Sequence, residues 1–250
     1  RYGRCRSGAF TGIGDGGVKL RFYGIRMWHK VSFALVLAVG LSFQALSAGI
    51  ARSDILLHIA SQCVDPSKEN YCSNCMLPRA DASCSGVADC KKTNEVWALN
   101  PKYVAIRDIK MCGCPSNFVH GLAMPRNVVT GVEDLNREED IWQFAWDVGV
   151  ERIEPGMLAL VVNPKSERTQ NQLHIHMLKF DKNGREIFLE HSHAYIQSLD
   201  QVWKISQKIA DSSGLNDYGI LVAKESTTQY IVVISRNSPE GAFTIWNCGN

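Results

Sequence analysis

Residues 31–51 read VSFALVLAVGLSFQALSAGIA, a 21-residue run with no Asp, Glu, Lys or Arg, and it divides the chain into parts that must fold by different rules. The run is long enough to span a hydrocarbon core. It follows a short basic start, Met27-Trp-His-Lys30, and ends in small residues, which is the layout of a secretory signal. Ala45-Leu46-Ser47 and Gly49-Ile50-Ala51 both suit cleavage, and retention as an anchor is the alternative. Residues 27–51 are therefore expected to be a signal peptide or membrane anchor. Residues 1–26, rich in Gly and Arg and without apolar periodicity, read as a tail or as translation from upstream of the true start. No second apolar run of this length follows, so 52–250 is left as the folding domain, with length for a single core.

The overall charge of +2 conceals an asymmetry, because residues 1–30 hold 7 of the 27 Lys+Arg and 1 of the 25 Asp+Glu. What remains beyond the uncharged run has 20 basic against 24 acidic residues. A nucleic-acid-binding domain would lean the other way, so no nucleic-acid partner is expected. Cysteine usage agrees with export. Apart from Cys5 there are eight, at 63, 72, 75, 84, 90, 112, 114 and 248, an even number that reads as a disulfide framework around a polar loop between Cys63 and Cys90. The rival is a structural zinc site, in which Cys72-Ser-Asn-Cys75 and Cys112-Gly-Cys114 supply four thiolates.

The hydrophobic pattern predicts an α+β domain, mainly an antiparallel sheet with two flanking helices. Strands are expected at 102–110, 119–125, 157–163 and 173–180, and as a hairpin of 218–223 with 230–235. Helices are expected at 138–153, with Glu138, Glu139 and Asp140 at its N-terminus, and at 199–209, with a short one at 54–63.

Chemistry concentrates in 161–180, VVNPKSERTQNQLHIHMLKF. On a strand, His174 and His176 point to one face while Leu173, Ile175 and Met177 point to the other. The preceding Arg168-Thr-Gln-Asn-Gln172 offers hydrogen-bond donors with no acid among them, a setting for phosphate attacked by a neutral imidazole. His191-Ser-His193 is a second His-x-His pair, and the two pairs together are a candidate zinc site. His120 reads as a surface histidine, with a place in a nucleotide pocket as the alternative. Lys165 reads as a solvated loop lysine.

Asn163 followed by the run from Gln172 to Leu178 resembles the histidine-triad superfamily. More closely, Arg168-Thr-Gln-Asn171 ending in Leu173-His-Ile-His176 resembles the CDP-diacylglycerol pyrophosphatase family. The likeness extends from about 54 to 237 through Tyr103-Val, Leu122-Ala-Met-Pro125, His193-Ala-Tyr195 and Val232-Val-Ile-Ser-Arg-Asn237. It implies a histidine-triad-like antiparallel sheet with flanking helices. It also implies a hydrolase that splits CDP-diacylglycerol into CMP and phosphatidate through a nucleotidyl-histidine. His174 would be the nucleophile and His176 would bind phosphoryl oxygens. Asn163 would hold the ribose or orient the phosphate, Thr169 and Asn171 would line the pyrophosphate site, and Arg168 would supply positive charge. No cofactor and no metal are implied. The partner would be a nucleotide-lipid in a membrane, the location the periplasm or the periplasmic face of a bacterial inner membrane, and the assembly a homodimer. The superfamily's first triad histidine is Gln172 here, which can donate a hydrogen bond but cannot carry a charge or shuttle a proton. His193 is the candidate to supply the missing acid. Other readings are a hydrolase of soluble nucleotide pyrophosphates, or an exported nucleotide- or zinc-binding protein without turnover.

Overall fold

Alternating apolar stretches resolve into an antiparallel sheet of eight strands in the computed structural model, which describes residues 52–64 and 95–249. The expected tail (1–26), the expected signal or anchor (27–51) and Cys72, Cys75, Cys84 and Cys90 lie outside the described residues. Among those described, no helix is long and apolar enough to cross a membrane. Residues Ile50–Asn250 form one compact unit.

The strands are β1 (Val96–Leu99), β2 (Tyr103–Arg107), β3 (His120–Pro125), β4 (Leu158–Val162), β5 (Ile175–Lys179), β6 (His193–Ile196), β7 (Gly219–Lys224) and β8 (Tyr230–Ser235). Their order in the sheet is β1-β2-β3-β5-β4-β7-β8-β6, which puts β5 in the interior between β3 and β4. Helices are α1 (Ile55–His58, continued by a π-helical turn Ile59–Cys63), α2 (Ile141–Val150), α3 (Gly184–Ile187), α4 (Val202–Ser212) and α5 (Pro239–Phe243). The expected strands and the two main helices are all present. The edge strands β1 and β6 were not foreseen, since each has only four residues and neither is fully buried.

Each face of the sheet is covered differently. One carries the large core, where Ile175 and Met177 of β5 pack with Leu158, Leu160, Ile220 and Val222 beneath α2 and α4. Trp142 of α2, wholly buried, meets Trp203 of α4 edge-on at 5.0 Å between ring centroids. The acidic residues before α2 turn to the sheet: Asp140 accepts from the Tyr103 hydroxyl, and Lys102 bridges Glu138 and Asp140. The opposite face has two separate apolar clusters. Residues 56–64 pack on Val104, Ile106, Leu122 and Met124, while Phe180, Phe188 and Phe243 pack on β4, β7 and β8. His120 and Leu122 on β3, His176 on β5 and Val161 on β4 share this second face by period-two alternation and register, so the histidines lie in the trough between the two clusters.

Cys114 and Cys248 form a disulfide that ties the C-terminal segment to the turn after β2. Cys114 is thereby removed from the alternative four-thiolate zinc set.

Candidate active site

The trough opens into a cavity of about 600 Å³. One wall is apolar, built by Ile55, Leu56, Ile59, Ile106 and Leu122. The other is polar, with His174, His176, Asn163, Lys110 and Glu240.

His174 immediately precedes β5 and is buried, and its Nδ1 is 2.7 Å from the Gln172 carbonyl oxygen. A carbonyl can only accept, so Nδ1 carries the hydrogen and Nε2 keeps a lone pair. Burial, only partly offset by that hydrogen bond and by nearby carboxylates, holds the His174 pKa below the ordinary histidine value, so the ring is neutral at pH 7.

The same reasoning orders the neighbouring rings. His120 Nδ1 faces the Trp246 carbonyl at 3.2 Å, which leaves Nε2 as the acceptor of the 2.9 Å hydrogen bond from His176 Nδ1. His176 Nε2 is then a buried lone pair with no hydrogen-bond partner, 3.6 Å from Glu240 Oε2. Burial pushes His120 down to about 3 and His176 well below the ordinary value. Asp108, 3.4 Å from His120 Nε2, is raised by burial, the backbone hydrogen bond from Lys110 opposing the shift. The His174 and His176 rings pack edge-on with centroids 4.8 Å apart.

Glu240 joins the polar wall together. Its Oε1 accepts from Lys110 Nζ at 2.6 Å and its Oε2 from Asn163 Nδ2 at 2.6 Å, while Asn163 Oδ1 accepts from the Ser238 hydroxyl. The carboxamide of Asn163 is thus held by α5 and its N-cap residue.

The run 168–172 divides its work in a way its composition did not show. Arg168 lines the cavity, but its guanidinium grips Glu133 through both terminal nitrogens. Gly131 permits this approach, since a Cβ there would stand 1.8 Å from Arg168 Nη1. Burial opposes ionisation of Glu133, yet the hydrogen bond and charge of Arg168 hold its carboxyl below the usual range. Thr169 lines the cavity as well, and its carbonyl accepts from Ser53 N. Asn171 bonds to Asp54 Oδ1 and lies outside the cavity lining. Together with the Ser53–Gln170 bridge, these contacts dock the start of α1 and so build the apolar wall.

Gln172 faces away from the cavity. Its Nε2 donates to the carbonyls of Pro125 and Asn127, and its Oε1 accepts from Val129 N. Gln172→Ala is expected to destabilise the fold by about 1–3 kcal/mol through the buried groups it leaves unpaired. Gln172→His is expected to give no gain in turnover. Denaturant unfolding and a rate assay check both, and a tenfold gain with histidine would place this position in the reaction.

His193 does not join the site. It lies on β6, four strands from β5, or ~19 Å at the usual strand spacing, with Nδ1 bonded to the His191 carbonyl. The alternative zinc site from two His-x-His pairs is therefore not assembled. Among the described residues, the group able to share a metal is Asp108, His120 and His176, whose ligand atoms lie within 4.8 Å of one another. A metal there would have to break the His120–His176 hydrogen bond and sit beside the Lys110–Glu240 pair. Lys165 is outside the cavity lining, with its backbone N–H bonded to Asp217.

His120, read as a surface residue, is fully buried. Its alternation with Leu122 and Met124 was the available signal. Asp108, Lys110, Glu240 and Trp246 were missed.

A family model described as CDP-diacylglycerol pyrophosphatase matches residues 74–204. A search of curated proteins finds no match.

Proposed function

This chain belongs to the CDP-diacylglycerol pyrophosphatase family, a family of hydrolases, and from that membership we propose that the cavity cleaves CDP-diacylglycerol through a covalent intermediate on His174. The observation that carries the proposal is the 2.7 Å bond from His174 Nδ1 to the Gln172 carbonyl, which leaves Nε2 as a neutral nucleophile at the cavity.

In the first step the Nε2 lone pair attacks the cytidylyl phosphorus. A P–N bond forms, the P–O bond to the second phosphate breaks, and phosphatidate leaves with the electron pair. In the second step water attacks the same phosphorus, the P–N bond breaks with its electron pair returning to His174 Nε2, water's proton passes to solvent, and CMP is released. The bare Nε2 of His176 has a part in binding. An anionic phosphoryl oxygen raises its proton affinity, so His176 takes up a proton there and donates it as a hydrogen bond, with Glu240 offsetting the charge. Asn163 holds Glu240 in place for this, and the apolar wall accommodates the uncharged part of the substrate.

A histidine-triad-like ancestry belongs to the same proposal, supported by the strand-borne His174-Ile-His176 pair and the carbonyl-fixed tautomer. Export and attachment to a membrane through residues 27–51 rest on the sequence pattern and suit a substrate whose acyl chains stay in a bilayer.

CMP release from CDP-diacylglycerol in detergent micelles, with EDTA present, tests the function. Release is expected to continue in EDTA, since no step draws on a metal. A folded protein that yields no CMP would overturn the proposal. The pH profile adds a check with a defined sign. A protonated His174 cannot attack, and burial lowers its pKa, so the acid limb of kcat/KM is expected below pH 6.5. A limb at or above that value would contradict the neutral buried nucleophile.

A further inference from the structure

The departing phosphate needs a positive partner, and since Arg107, Lys110 and Arg168, the cations lining the cavity, are all ion-paired, placement beside the two histidines decides which can serve. Gln172 is uncharged and turned into the 125–129 loop. Arg168 is ion-paired with Glu133, and Arg107 with Glu95. His193 lies on a distant strand. Lys110 stands on the polar wall with His174 and His176. It follows the buried Asp108, whose side chain accepts from the Lys110 backbone N–H at 2.8 Å and fixes the turn. Its Nζ bonds to Glu240 Oε1 and lies 4.8 Å above the Trp246 ring, which anchors the ammonium from two sides while the side chain stays 35% exposed.

Glu240 couples this cation to the reaction. One of its oxygens faces Lys110 and the other faces His176 Nε2. The carboxylate therefore spans Lys110 and the second cavity histidine, where the phosphate is to be bound.

Resting on the nucleotidyl-histidine reading above, we propose that Lys110 is the catalytic residue that stabilises the leaving phosphomonoester. As the bond from His174 Nε2 to phosphorus forms and the bridging P–O bond breaks, the bridging oxygen takes the electron pair and Lys110 Nζ donates hydrogen bonds to it. No proton need be transferred, because a phosphomonoester with a second pKa of ~6 leaves as a dianion at neutral pH.

The test compares the full chain and its Lys110→Met variant in detergent micelles on two substrates. One is CDP-diacylglycerol. The other is the p-nitrophenyl ester of cytidine 5′-phosphate, which forms the same histidine adduct but expels nitrophenolate in place of a phosphate. The variant is expected to lose about 10²–10³-fold in kcat on the diphosphate and less than about tenfold on the ester. Lys110→Arg, which keeps the charge, is expected to retain most of the rate on the diphosphate. Damage to the Glu240 network would lower both rates alike. Equal losses on the two substrates, or no loss on the diphosphate, would therefore overturn the role of Lys110 while leaving the histidine mechanism standing. A parent chain inactive on both substrates would overturn the mechanism and, with it, this assignment.

Discussion

His174→Asn is expected to lower kcat for CMP release by roughly 10⁴–10⁶-fold, the range found when a covalent nucleophile is removed. Asparagine retains an N–H near the Nδ1 position, so it can still donate to the Gln172 carbonyl that orders the native ring. What it lacks is the lone pair at Nε2. The variant should therefore unfold within a few degrees of the parent while its turnover disappears, which separates loss of chemistry from loss of structure. Residual activity within about tenfold of the parent would show that another group attacks phosphorus. The most direct rival is His176, whose side chain also lines the cavity. His176→Asn discriminates, since a binding role predicts a KM effect alongside kcat, whereas a nucleophile predicts loss of turnover.

The largest stability effect is expected at Trp142, remote from the cavity on the other side of the sheet. Its side chain is fully buried in α2, meets Trp203 edge-on, and belongs to the cluster that includes Ile175 and Met177 of β5. Trp142→Ala removes the largest wholly buried side chain among the described residues and leaves a cavity, at a cost of about 3–5 kcal/mol. For a domain of this size the fall in Tm should be roughly 6–20 °C. Trp142→Phe should cost much less, because the indole N–H has no hydrogen-bond partner to lose. Thermal unfolding followed by circular dichroism reads both, and a fall below about 3 °C for the alanine variant would mean that α2 is not the keystone of this core. Since β5 carries His176 on its other face and His174 directly precedes it, the alanine variant should also lose activity before it unfolds globally.

The strands were legible in two ways: residues 173–177 alternate apolar and polar side chains, whereas 157–163 is a continuous apolar run, as a strand buried on both faces requires. For the same reason the inward and outward assignments at 173–177 match the structure: Leu173, Ile175 and Met177 enter the large core, and the two histidines line the cavity. The half-exposed edge strands carry no such pattern. Within the site, local spacing disclosed His174, His176 and Asn163, which lie on or beside adjacent strands. It could not disclose Lys110 and Glu240, which meet across 130 positions, nor that α5 would place a carboxylate between a lysine and a histidine. Composition misled at 168–172. A run of donors looked like a phosphate cradle, but Asn171 and Gln172 serve the backbone and α1, while Arg168 serves Glu133. Donors show where hydrogen bonds can be made, and only the fold shows which acceptors are within reach.

The most direct test of the account is to look for the intermediate itself. The full chain mixed with CDP-diacylglycerol in micelles, quenched in alkali during turnover, digested and analysed by mass spectrometry, should show a cytidylyl group on the peptide that contains His174. The His174→Asn chain should show none. CMP formation without any adduct on the parent chain, or an adduct on a peptide lacking His174, would contradict the mechanism.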